Sequence, residues 1–445
     1  MQVDPGQVDP GSVFALLSAA LVTAAAFSWV NHRFIGLPTT IGVLLISLAM
    51  SLGLHLLALV GLDVETPARE LLQRMEFSES LLEVMLAFLL FAGALHVDLE
   101  RLRSHKWVIG LLATVGVMAS TLLVGLATYV LSSALGLDLR MIECLLFGAL
   151  ITPTDPIAVL GILKSAGVPK SLETKITGES LFNDGIGVVV FLAVLAAATG
   201  GAAHGAPAAD APDAVATAAS ASHAAASFGI LDFFSLLFVE VGGALVLGLA
   251  FGWVAYRMIS TIDGYQVEVL ITLALCTGVY SLAAALHASG PLAVVVAGLF
   301  MGNTGRAYGM SPATTENVDR FWELIDEILN VVLFVMIGAE VLLIRLGGSP
   351  LLAGALAIPC VLGARFTAVA LTVRSLSRVR TFTEGAIPLL TWAGLRGGIS
   401  IALALSIPAT VAGREVILTM TYVVVVFSIV VQGLTVAPLA RRLIR

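Results

Sequence analysis

Residues 12–32 contain no charged side chain and no proline, and runs of this kind recur along the whole chain. About 20 apolar residues wound as a helix cross the ~30 Å hydrocarbon layer of a bilayer. Lipid offers the backbone no hydrogen-bonding partners, so only helices and closed barrels span it, and barrel strands need only ~10 residues. The fold class is therefore an all-α polytopic membrane protein. Composition agrees, because only 12% of the 445 residues are charged, against about 25% in soluble domains. The net charge of −7 is spread without a basic or acidic block, so nothing points to nucleic acid. Cys144, Cys276 and Cys360 each lie in an apolar run without metal-ligand spacing and read as packing residues. The N-terminal MQVDPGQVDPGS lacks a positive n-region, so the first run is expected to be a retained span.

Breaks at charges, prolines and glycines divide the chain into thirteen spans. They lie near 12–32, 38–60, 79–97, 106–135, 141–164, 173–199, 229–258, 265–287, 289–303, 318–346, 350–374, 383–409 and 414–439. With the spans alternating, sixteen of the 23 Lys and Arg residues fall on the side of the C-terminus, five fall on the other side, and Arg365 and Arg396 lie inside spans. The positive-inside rule then places the C-terminus in the cytoplasm and the N-terminus outside. Residues 200–228 are rich in Ala, Pro, Asp and Ser and cannot bury enough surface to order themselves, so they are expected to form an external disordered loop. Its His204 and His223 read as solvated. The short stretch after the last span favours a bacterial inner membrane.

The fifth span reads LLFGALITPTDPIAVLGILK, with Pro153 and Pro156 around Thr154 and Asp155. Proline removes a backbone donor and clashes with the preceding turn, so this helix should open in mid-membrane. The twelfth reads AIPLLTWAGLRGGISIALALSIP, with Gly394, Gly397 and Gly398 around Arg396. These breaks are seven spans apart, and an odd offset makes two repeats face opposite ways across the membrane. The expected organisation is a first inverted repeat over 1–199, the loop 200–228, a linker span in 229–260, and a second repeat over 261–445. Interrupted helices in corresponding positions mark a transporter site at the midplane.

An intramembrane charge is expensive enough to need a partner or a function. In the sixth span, ITGESLFNDGIGVVV, the residues Glu179, Ser180, Asn183 and Asp184 occupy one side of a helix at ~100° per residue. Gly178, Gly185 and Gly187 allow a neighbour to approach closely. Asp155 and Asp184 are the candidate ligands of a small monovalent cation, and a buried carboxylate can hold either a proton or a cation near neutral pH. Mutual exclusion at one carboxylate, combined with alternating access, suffices for exchange. Glu179 is expected to pair with Arg365 as a structural unit, and Arg396 to compensate carbonyl dipoles at the broken helix or to neutralise Asp155. Glu83 and Glu240 are buried acids or further ligands. Glu323, Asp326 and Glu327 read as a solvated helix end.

The motifs TPTDP at 152–156, GESLFNDG at 178–185 and GLRGG at 394–398, together with Arg365, resemble the monovalent cation/proton antiporters, in the sodium/proton exchanger branch. The resemblance implies thirteen spans in inverted repeats, a dimerisation domain beside a mobile core, and a homodimer. It places the cation and proton at Asp155, Asp184, the Thr154 carbonyl and Ser180, and assigns Glu179 and Arg365 to a stabilising pair. Asn183 before Asp184 resembles the electroneutral pattern, whereas electrogenic relatives carry two aspartates there. Some relatives have an acid in the third span where this chain has Phe91 or Ala92.

The leading expectation is exchange of Na⁺, or Li⁺, for H⁺ without a cofactor, and K⁺ at the same site is the alternative. No Walker A sequence occurs, so gradients would drive transport. An intramembrane hydrolase built on Asp155 and Asp184 is the remote reading. No HExxH or GxSxG sequence supports it, and neighbouring arginines oppose the raised pKa that such a dyad needs. A channel is the third reading, and saturable counter-ion-dependent flux separates it from exchange.

Overall fold

The computed structural model describes residues 10–59, 79–155, 168–199, 230–342, 348–377 and 385–443. Among these residues all regular structure is helical. The helices are α1 (Pro10–Val30), α2 (Thr39–Leu59), α3 (Glu79–Leu95), α4 (Lys106–Leu135), α5 (Met141–Ile151), α6 (Lys170–Ala198), α7 (Ile230–Ile259), α8 (Tyr265–Ala285), α9 (Gly290–Phe300), α10 (Pro312–Glu340), α11 (Gly348–Leu376), α12 (Ala386–Trp392), α13 (Gly398–Leu405) and α14 (Arg414–Leu443). Seven of the described helices are long and apolar enough to cross a bilayer. The second half of the fifth span, with Pro156, and the 200–228 loop, with His204 and His223, lie outside the described residues, as does the side chain of Glu83.

Each of these helices falls in one of the apolar runs, the short helix Leu99–Ser104 lies between two of them, and the boundary moves most for α10. It begins at Pro312 rather than near 318. The hydroxyl of Ser311 accepts the Thr314 N–H at 3.3 Å, and proline follows at the first helical position, which together make a good helix start. Hydropathy cannot register such a start. Glu323, Asp326 and Glu327 therefore sit several turns into α10 and not at its end.

The chain forms two compact units. The smaller contains Met1–Leu82 with Ile325–Arg345. There the buried hydroxyls of Ser47 and Ser51 on α2 donate to the Val335 and Gly338 carbonyls of α10, both at 2.7 Å. The larger unit contains Glu83–Leu324 with Leu346–Arg445. In it, α12 is seated in an apolar cluster of Leu389, Leu390 and Leu395 with Val369 and Val373 of α11 and Ile176 of α6. Packing of this kind, not water exclusion, holds helices together in lipid. Outward residues are apolar too: Phe238, Val246, Val130 and Leu270 are 79%, 68%, 68% and 63% exposed, as a lipid-facing surface requires.

Candidate functional site

Helix α5 stops at Ile151 and residues 152–155 leave the helix. Pro153 has no N–H to continue the ladder, and the Thr152 hydroxyl turns back to the Gly148 carbonyl at 2.6 Å. Helix α12 stops at Trp392, and α13 restarts at Gly398. The two non-helical stretches meet, with the Asp155 N–H donating to the Leu395 carbonyl at 2.8 Å. The Arg396 guanidinium donates through Nη1 to the carbonyls of Thr152 and Pro153, the latter at 3.1 Å. A guanidinium is suited to this place, because the end of α5 presents orphaned carbonyls and partial negative charge. Asp155 is half-buried against the start of α13, where N–H groups favour an anion. A Cβ on Gly397 would lie 2.5 Å from Asp155 Oδ2, so only glycine admits the carboxylate so close.

Helix α6 brings its polar face to the same place. Glu179, Ser180, Asn183 and Asp184 are all buried. The Thr154 and Ser180 hydroxyls are 2.9 Å apart. The Asn183 amide nitrogen faces three acceptors: the Thr152 carbonyl (3.2 Å), Thr154 Oγ1 (3.3 Å) and Glu179 Oε1 (3.3 Å). Its nitrogen being spent there, its Oδ1 points away and accepts no hydrogen bond among the described residues. Asp184 takes a backbone hydrogen bond from Thr154 and lies close enough to Asp155 for their charges to interact. Its Oδ1 also lacks a hydrogen-bond donor among the described residues. Gly187 lets Pro153 against α6, since a Cβ there would lie 2.6 Å from the proline ring.

Arg365 of α11 grips Glu179 with two bonds of 2.6 Å, Nη1 to Oε1 and Nη2 to Oε2. Its Nη2 also donates to the Leu390 carbonyl of α12 at 3.3 Å. Both side chains are almost wholly removed from solvent. A paired guanidinium satisfies a buried carboxylate in the bidentate geometry that a lysine cannot reproduce.

The sequence-predicted residues Thr154, Asp155, Glu179, Ser180, Asn183, Asp184, Arg365 and Arg396 thus come together in the larger unit. Glu240 lies elsewhere, buried on α7, where its carbonyl accepts the Ser289 N–H at the start of α9. Phe91 and Ala92 of the third span are both buried, Phe91 with its ring 4.6 Å from Trp322, and neither side chain offers an oxygen. Two residues were missed by sequence reasoning. Ser428 Oγ accepts the Arg396 N–H at 2.8 Å, and Gln432 Nε2 donates to the Trp392 carbonyl at 3.1 Å. Their signal was a polar pair four residues apart in the otherwise apolar VVVVFSIVVQG.

Known proteins resemble this arrangement along nearly the whole chain. The Na(+)/H(+) antiporter NhaP of Pseudomonas aeruginosa is 47% identical over 434 residues, covering 96% of each chain. The Na(+)/H(+) antiporter NhaH of Halobacillus dabanensis is 36% identical over 91% of this chain and 92% of its own. The fold is similar to that of the sodium proton antiporter MjNhaP1 from Methanocaldococcus jannaschii, with a TM-score of 0.71 over 98% of this chain at 19% identity. The sequence model of the sodium/hydrogen exchanger transmembrane region matches residues 17–442, and the chain belongs to that family, as a multi-pass membrane transporter and not an enzyme.

Proposed function

We propose that this protein exchanges one Na⁺ for one H⁺ by alternating access, with cation and proton competing for Asp155 and Asp184. The observation that carries the reading is the pair of buried oxygens, Asp184 Oδ1 and Asn183 Oδ1, that accept no hydrogen bond among the described residues. Buried polar atoms are rarely left so. Beside them lie Asp155 and the hydroxyls of Thr154 and Ser180. Oxygen-only sites suit hard cations, and the single net negative charge of the surrounding side chains is what a monovalent one would match.

Charge balance supports a ratio of one to one. Three carboxylates (Asp155, Glu179, Asp184) face two guanidiniums (Arg365, Arg396), which leaves one negative charge for one proton or one Na⁺ to neutralise. Asn183 holds the loop by its amide where a further carboxylate would add a charge. Glu179 and Arg365 brace α6 against α11, and Arg396 neutralises the carbonyl end of α5. The broader frame follows the family: thirteen spans in inverted repeats broken at spans 5 and 12, a homodimer, N-terminus outside and C-terminus inside, in a bacterial inner membrane.

Proteoliposomes with an imposed pH gradient test this reading. Added Na⁺ should evoke proton movement whose rate does not change when valinomycin and K⁺ clamp the membrane potential. Proton movement evoked by K⁺ alone would reassign the cargo, and none with any cation would remove the transport reading.

A further inference from the structure

Unwinding a helix inside a membrane strands backbone groups that water cannot reach. At the break between α12 and α13 several of them find partners. The Leu390 carbonyl takes Arg365 Nη2, the Ala393 carbonyl takes the Leu395 N–H at 2.9 Å, and the Leu395 carbonyl takes the Asp155 N–H. Two further bonds come from α14: Gln432 donates to the Trp392 carbonyl, and Ser428 accepts from the Arg396 N–H. Ser428 is wholly buried and Gln432 is 2% exposed.

Both residues bound a five-residue π-helical turn, Ser428–Gln432, inside α14. A π-turn is rare inside an α-helix and is frequently found at functional sites. Here it presents a hydroxyl and an amide to the two ends of one break. Trp392 is gripped further, its indole N–H donating to Thr435 Oγ1 of α14 at 2.9 Å. Gln432 also lines the narrow cavity into which Arg365 and Arg396 face, beside Gly394 and Thr391.

We infer that Ser428 and Gln432 are positioning residues for the cation site. Neither is placed to touch the ion. Ser428 fixes the main chain of Arg396, whose guanidinium in turn holds the Thr152 and Pro153 carbonyls. Gln432 fixes the end of α12. Together they set where the Leu395 carbonyl meets the Asp155 N–H, and so where the Asp155 carboxylate stands. The inference rests on the assignment of Asp155 to the cation site. That assignment fails separately, if Asp155→Asn exchanges normally.

The test is the Na⁺ concentration for half-maximal exchange in proteoliposomes of the purified protein. A buried N–H or carbonyl that loses its partner weakens its neighbourhood enough for an effect of about tenfold. Ser428→Ala and Gln432→Met should raise the half-saturating Na⁺ by about that factor, while the maximal rate per folded protein changes by less than about twofold. Ser428→Thr, which keeps the hydroxyl, should restore it. Thr421→Val is the control on the same helix, because among the described residues its buried hydroxyl bonds only to the Ile417 carbonyl of its own turn, at 2.7 Å. It should lower the melting temperature and leave the half-saturating Na⁺ unchanged. Should Ser428→Ala not accumulate in the membrane, Gln432→Met is judged on the same readout. A half-saturating Na⁺ equal to that of the parent in the variants, or an equal rise in Thr421→Val, overturns the inference.

Discussion

Asp184 and Glu179 sit five residues apart on α6, are equally buried, and predict opposite phenotypes. Asp184 keeps an oxygen without a donor among the described residues, so under the proposed reading replacing it by Asn removes the charge that cation and proton compete for, at little structural cost. Asp184→Asn should abolish Na⁺-dependent proton movement while the melting temperature stays near that of the parent; retained exchange would falsify its role. Glu179 holds the Arg365 guanidinium with two 2.6 Å bonds. Removing one partner of a buried pair costs about 3–5 kcal/mol. Glu179→Gln should therefore be seen in thermal denaturation and yield, and a variant as heat-stable as the parent would speak against bracing. That these residues share one face was legible in the spacing of GESLFNDG. Their individual partners were not, because the Thr152 carbonyl, the Leu390 carbonyl and Arg365 reach α6 only through tertiary contacts.

Helix ends inside an apolar run are marked by composition. Pro153 and the Gly394–Gly398 segment marked the places where α5 and α12 end. What the sequence does not carry is the crossing itself, a main-chain bond from Asp155 to Leu395, nor the π-turn in α14, which has neither proline nor a charged residue to flag it. The start of α10 escaped for a related reason, since its cap is a serine in a polar stretch that hydropathy ignores. The close approach at the crossing makes a prediction at this scale. A methyl on Gly397 would come within 2.5 Å of the Asp155 carboxylate and 2.7 Å of its Cβ, so something must shift. Displacing a reacting group by ~1 Å can cost on the order of 100-fold. Gly397→Ala should insert and fold, yet exchange Na⁺ at least about tenfold more weakly. Unaltered transport kinetics would mean that the carboxylate does not need its seat beside α13.

For the molecule as a whole, hydropathy delivered the membrane class and the apolar runs in which most of the described helices lie, because lipid imposes one rule on every span. It did not deliver the two units, since Ile325–Arg345 joins the first 82 residues across more than half the chain. One site shared by two ions has a pH signature that any whole-protein assay can read. Lower pH loads the carboxylates with protons, so more Na⁺ is needed to displace them. The half-saturating Na⁺ should rise as pH falls, by up to about tenfold per pH unit, with the maximal rate unchanged. A half-saturating Na⁺ that ignored pH would separate the two ions onto different sites. The amide of Asn183, standing where a further carboxylate would change the count of charges, has a consequence for the cell that carries this protein. Under one-for-one exchange the Na⁺ ratio across the membrane can only copy the proton ratio, about tenfold for each pH unit. Salt is then expelled while the surroundings are more acidic than the cell interior, and in an alkaline brine the same machine would run backwards and fill the cell with sodium.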